Sequence, residues 1–290
     1  MAIALQALFS SLINGSVFAL MGVAMVLCYR GSRIVNLAQG ESYTISGFLT
    51  VAAYTHGLPL LVSALLGVLA AGASGMLLER VALRSRLHWE PGRLIMVTLG
   101  AALLVEGITL AAVGADRRSF PGIVGDPPLR VGGAAISRQG VVLVFLTLLV
   151  TVALIWFFRR TLLGQAMTAV AEKPQASALL GINVARMRQL SYGLAGLLAG
   201  LAAVLVVPLT GITYDGGLAL TLNGFVAGAF ANMTNPGRAL LAGLVLGLGE
   251  GYVGAYISPL FETPLVFGVL LLLGVTYLSR SVRFGGVGRA

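Results

Sequence analysis

The sequence predicts an all-α polytopic membrane protein, one transmembrane domain over residues 1–290, and three observations carry that prediction. Apolar residues make up 58% of the chain and charged residues 10%, against roughly 25% charged in soluble domains. Mean hydropathy is +0.95. The apolar residues gather in runs of the length that crosses a bilayer's hydrocarbon, about 20 residues. A soluble chain of this size has too much surface to cover with so few charges.

Nine segments qualify in order: 3–29, 40–56, 58–78, 94–114, 140–158, 190–212, 217–235, 239–257 and 264–280. The first carries no charge before Arg30, so it lacks the basic start of a signal peptide and is expected to stay in the mature chain. Asn14 and Ser16 flank Gly15 and are expected to interrupt it. Segment 40–56 is short and polar, with Ser42, Thr44, Ser46 and Thr50, and only Gly57 divides it from the next run. That pattern predicts a re-entrant or broken helix, which needs protein or a cavity around it. Gly243, Gly247 and Gly251, with the pairs Gly196–Gly200 and Gly224–Gly228, are spaced for close helix packing, against this chain or another.

Basic residues set the expected orientation. With the N-terminus outside, 15 of the 19 fall in inside segments, and only Arg117, Arg118, Arg130 and Arg138 lie outside. The positive-inside bias therefore predicts N-out and C-in. The same bias explains the net charge of +9 without nucleic acid. A lone cysteine, Cys28, excludes an internal disulfide, and two histidines, His56 and His88, make no metal-ligand cluster.

Two loops stand out. The outer one, 115–139, holds Pro121, Pro127 and Pro128 and is expected to be irregular. It is a solvated surface or a landing platform for an external protein. The inner one, 159–190, reads as two short helices. Leu163, Met167 and Val170 share a helical face. Pro174 pushes Lys173 out of the helical region and opens the second helix. Gly181 is placed to close it with a left-handed cap. Leu179, Leu180 and Ile182 offer an apolar knob. This pair is either an amphipathic surface element on lipid or a lever for a cytoplasmic partner.

The chain has no phosphate-binding loop, because its only lysine follows a glutamate. It therefore carries no nucleotide motor of its own by that motif. Glu106 and Glu250 sit at membrane depth and Glu41 near the inner boundary; each is a satisfied interhelical partner or part of a proton relay. No nucleophile–base–orienter set is legible, so no enzymatic activity of this chain is expected.

The stretches Asn14–Leu20 and Arg33–Glu41 resemble the opening of the branched-chain amino acid ABC transporter permeases, LivH-type. The inner loop resembles the same family at Leu163–Met167, Ala171–Pro174 and Leu180–Asn183, and so does the Pro264–Val266 run. Gln39, Leu37 and Lys173 depart from the family's usual residues, and Ala231–Gly237 replaces a glycine-rich turn. The resemblance implies about eight spans in the bacterial inner membrane, with 217–235 or 40–56 the segment that fails to cross. It implies a coupling helix in the inner loop, with Gly164, Met167, Glu172, Pro174, Leu180, Gly181 and Asn183 in the ATPase-coupling surface. It implies a second related permease, two cytoplasmic ATPases that hold ATP and Mg, and a periplasmic solute-binding protein. This chain itself would hold no cofactor. The polar residues expected along a pathway of broken helices are Asn14, Ser16, Asn36, Gln39, Glu41, Glu106, Asn223 and Glu250. The expected solute is a branched-chain or related hydrophobic amino acid; relatives carrying an amide, urea or an aromatic acid are the alternative, and an ion-coupled secondary carrier is the competing class.

Overall fold

The computed structural model describes residues 2–86, 89–125, 129–131 and 134–261, with 268, 269 and 272. The Pro264–Val266 run and all of the ninth candidate segment, 264–280, but those three residues lie outside these, as do His88, Pro127 and Pro128.

Ten α-helices have both ends among the described residues: α1 Ala2–Ser32, α2 Gln39–Thr55, α3 Leu60–Leu78, α4 Pro91–Val113, α5 Arg138–Arg160, α6 Leu162–Glu172, α7 Pro174–Leu179, α8 Val184–Thr210, α9 Gly216–Phe230 and α10 Pro236–Tyr256. Their starts follow from local chemistry. Ser137, Thr161, Asn183 and Asn235 accept backbone N–H bonds at the N-termini of α5, α6, α8 and α10. Proline opens α4, α7 and α10, where a missing N–H costs nothing. A wide π turn, Glu79–Leu83, extends α3.

Among the described residues, six helices are long and apolar enough to cross a membrane: Leu5–Ser32, Leu60–Leu83, Gly92–Val113, Arg138–Arg160, Val184–Thr210 and Pro236–Tyr256. Of the shorter helices between them, α2 has 17 residues and α9 has 15. These are the two segments whose crossing the sequence left open.

The outer loop departs slightly from its expected irregularity. Leu129–Val131 and Ala134–Ile136, β1 and β2, pair antiparallel with Leu129 opposite Ile136. A second correction concerns α1, which is continuous through Asn14–Ser16. Ser16 returns its hydroxyl to the Leu12 carbonyl at 2.8 Å, satisfying itself inside the helix. Gly15 is there for packing: a methyl on it would press on the Leu244 backbone of α10.

The small-residue ladders meet this chain itself. Gly243, Gly247 and Gly251 lie against Ala19, Gly15 and Ser11 of α1. Gly224 and Gly228 face Met21 and the Gly22 carbonyl, and Gly196 and Gly200 lie on Ala71 of α3. With no apolar gain between helices in lipid, such backbone approach supplies the dispersion that holds them together. α1 and α8 form the centre, and α4 touches little else.

The turn after α9 shows what its unusual sequence does. Asn232 and Met233 both sit at positive φ, 50° and 54°. Glycine adopts that region freely and asparagine tolerates it, whereas a methionine is there against its preference.

Candidate functional site

The chain between α1 and α2 is non-helical, and it runs through the inside of the bundle. Ile34, Asn36 and Ala38 are buried. Asn36 donates to Gln39 Oε1 at 3.3 Å, and Cys28 donates to the same oxygen at 3.2 Å. Gln39 Nε2 donates to the Ala195 carbonyl, in the body of α8, at 2.9 Å. α2 therefore starts at the depth of mid-α8. Irregular backbone there must be satisfied by protein. Leu37 N–H bonds Thr98 Oγ1 at 3.1 Å, Ala38 N–H bonds Asn36 Oδ1 at 3.1 Å, and Gly40 N–H bonds Thr221 Oγ1 at 2.7 Å.

α9 begins against the same point. A methyl on Gly40 would strike the Gly217 carbonyl, and a methyl on Gly217 would strike the Glu41 carboxylate. Two short helices thus meet N-terminus to N-terminus around Glu41, which is 3% exposed. Helix N-termini favour a nearby carboxylate. Its Oε2 has no hydrogen-bond partner among the described residues. Glu106 of α4, half-buried, is close enough to act on Glu41 electrostatically. The sequence-predicted residues therefore separate. Asn36, Gln39 and Glu41 come together. Asn14 lies elsewhere, lining a cavity toward the far end of α8. Ser16 is closed inside α1, Asn223 is half-buried on α9, and Glu250 is buried on α10.

The tight approach makes a direct prediction. Gly40→Ala is expected to cost about 1–3 kcal/mol, the range for overpacking. Gly100→Ala, where a methyl meets nothing within 4 Å, is expected to stay within about 0.5 kcal/mol. Unfolding midpoints of the solubilised protein check both.

The inner loop forms as its punctuation predicts. Lys173 leaves the helical region at φ −139°, ψ 81°, between α6 and α7. Gly181 takes φ +80°. Its N–H bonds the Ala178 carbonyl, and Ile182 N–H bonds the Ser177 carbonyl, both at 3.0 Å. This is the two-bond left-handed closure of a helix.

α6 is fastened to the bundle. Gly164 lies on the Phe157–Phe158 backbone, where a side chain would not fit. Arg30 of α1 donates to Thr168 at 3.0 Å and lies 5.0 Å from the Phe158 ring centre. Arg33 donates to the Ala171 carbonyl at 2.9 Å. Met167 and Val170 are buried with Met187 of α8.

Two details correct the expected face and knob. Leu163 is exposed, so the buried stripe of α6 is narrower than its spacing suggested. Ile182 packs inward against that methionine cluster. The exposed apolar tip is Leu179 and Leu180, at 90% and 81%. Glu172, Pro174 and Asn183 are exposed around it.

Sequence reasoning missed one feature entirely. Arg188 Nε donates to Glu79 Oε1 at 2.6 Å, tying the first turns of α8 to the π turn after α3. Glu79 is fully buried. The residues are 109 apart; only the placement of Glu79 at the end of an apolar run, where a charge needs a partner, hinted at it.

Comparison with known proteins shows the family of the chain. Residues 7–276 match the family model described as branched-chain amino acid transport system / permease component. The chain is 26% identical over 285 residues to the high-affinity branched-chain amino acid transport system permease protein BraD of Pseudomonas aeruginosa, covering 93% of this chain and 92% of that one. It is 27% identical, with the same coverage, to the high-affinity branched-chain amino acid transport system permease protein LivH of Escherichia coli K12. It is 26% identical over 274 residues to a probable LivH permease of Methanocaldococcus jannaschii, covering 91% and 85%.

Proposed function

Because the chain belongs to the permease-component family of branched-chain amino acid transport systems, a family of ABC importers, we propose that it is one half of a gate worked by separate ATPases. It pairs with a second, related permease. Two ATPases, holding ATP and Mg, bind its inner face, and a periplasmic binding protein delivers solute to its outer face. The solute is a branched-chain or related hydrophobic amino acid, with an amide, urea or an aromatic acid as the alternative within the family. The N-terminus faces the periplasm and the C-terminus the cytoplasm of the inner membrane, as the segregation of 15 of 19 basic residues supports.

One observation carries the reading: Leu179 and Leu180 stand exposed on a short helix whose neighbour, α6, is pinned to α1, α5 and α8. An apolar tip on a fastened arm is suited to pass force between a soluble partner and the bundle. Nucleotide binding closes the ATPases, the arm moves with them, and the helices shift between two populated arrangements. Gly164, Met167 and Asn183 fasten or cap the arm. Glu172, Pro174, Leu180 and Gly181 shape its partner-facing end.

Along the pathway, we assign solute contact to Asn14 and to the Glu41–Glu106 pair. Asn36 and Gln39 hold the start of α2. Ser16, Asn223 and Glu250 serve as helix-packing positions. Two short helices that meet within the bundle are the kind of discontinuity at which a polar solute is recognised in transporters.

Affinity purification from native membrane tests the assembly. The expected result is recovery of two ATPases and a second permease, with uptake in vesicles that follows ATP. A lone homodimer whose uptake collapses with the proton or sodium gradient while ATP remains would replace this reading with a secondary carrier.

A further inference from the structure

A cavity of about 260 Å³ opens between α1, α2, α8 and α9, beside the outer loop. Its wall is apolar on one side: Val17, Phe18, Ile212 and Leu220. Asn14, Tyr43 and Thr213 add neutral polar groups, and the one charged side chain in the lining is Arg117. Among the described residues, no carboxylate lines it.

The Arg117 stem lies over the turn that follows α8, and its head group is exposed at the cavity rim. Gly211 sits at φ +70°, and a methyl on it would fall within 2.7–2.8 Å of the Arg117 side-chain carbons. A bare glycine at that turn therefore makes room for the arginine stem. The next residue fastens the loop to the same turn: Arg118 N–H bonds the Ile212 carbonyl at 3.0 Å, and Ile212 N–H bonds the Arg118 carbonyl at 2.8 Å. Ser119 adds a bond from its hydroxyl to the Val207 carbonyl at 2.9 Å. The guanidinium itself forms no ion pair among the described residues. A guanidinium at the rim of a largely apolar cavity matches a planar carboxylate attached to an apolar body.

We propose that this cavity is a solute subsite within the permease, taking a small monocarboxylate with its carboxylate on Arg117 and a short apolar side chain against Phe18, Ile212 and Leu220. The assignment rests on the transport reading above and deepens it. It favours an amino or aromatic acid over an amide or urea, because neither of those neutral solutes offers an anion to the guanidinium.

Cysteine protection tests it on the assembled transporter, without the soluble binding protein. Cys28 is fully buried, so Thr213→Cys supplies the reactive thiol of this chain, in complexes whose other subunits lack exposed cysteines. L-Leucine at about ten times its half-saturating concentration is expected to slow thiol labelling roughly tenfold, since only empty sites react. L-Leucinamide, with the same side chain and amine but no carboxylate, is expected to leave the rate unchanged. Arg117→Ala is expected to abolish protection by leucine, and Arg117→Lys to keep part of it. Equal protection by leucine and leucinamide, or none by either, overturns the subsite. ATP-driven leucine uptake by the unmodified complex is measured alongside. Uptake without protection sinks the subsite alone; protection without ATP-driven uptake sinks the ATPase-driven reading and leaves the subsite standing.

Discussion

Arg188→Met is expected to lower the stability of the solubilised protein by about 3–5 kcal/mol, the cost of leaving a buried carboxylate without its counter-charge. Glu79 is fully buried and accepts from Arg188 Nε at 2.6 Å. Its second oxygen, Oε2, has no hydrogen-bond partner among the described residues. The pair is thus joined by one bond rather than two, and its attraction offsets desolvation less well than a bidentate pair would. The double variant Glu79→Gln/Arg188→Met is therefore expected to recover most or all of the loss. Denaturant midpoints of the two single variants and the double variant form the cycle. A double variant as unstable as Arg188→Met would show that Arg188 acts through packing of its stem and not through charge.

The paired change Leu179→Ser/Leu180→Ser is expected to abolish ATP-dependent uptake while leaving the amount of protein in the membrane unchanged. These side chains are 90% and 81% exposed, so the bundle loses almost no buried surface. A partner that covers both leucines loses about 1.5–3 kcal/mol for each, enough to detach an ATPase. Assembly is read by co-purification of the ATPases, and function by uptake. Normal uptake would remove the arm from the mechanism. Loss of the protein itself would mean that the leucines rest on lipid or hold the fold. Met167→Ser provides the contrast: that side chain is buried against Val170 and Met187, so its loss is expected to lower stability and uptake together.

Local chemistry was legible wherever one short stretch held all the participants. Lys173–Pro174 and Gly181 specified the kink and closure of the inner arm, because the residue before proline avoids the helical region and glycine accepts positive φ. The short, polar run marked 40–56 as a doubtful span, and the family resemblance added 217–235; these became the short helices α2 and α9. Asn14–Ser16 misled because serine has two ways to satisfy itself; in α1 it bonds back to Leu12 and the helix continues. Ile182 misled because it lies one residue past the left-handed turn, where the chain direction reverses toward the Met187 cluster.

Composition, hydropathy period and glycine–proline punctuation determined by themselves that this is a helical membrane protein with a short polar helix at 40–56, a kinked arm at 159–190 and closely packed glycines. These depend on burial of apolar runs and on backbone preferences within a few residues. Tertiary structure alone decided that α2 and α9 meet at Gly40 and Gly217 around Glu41, that Glu79 finds Arg188, and that Arg117 is laid across Gly211 at the rim of a cavity. The physical reason is shared. A charge or hydroxyl in a low-dielectric interior is satisfied by whichever group the fold brings to it, and that partner can sit more than 100 residues away, as Glu79 and Arg188 do.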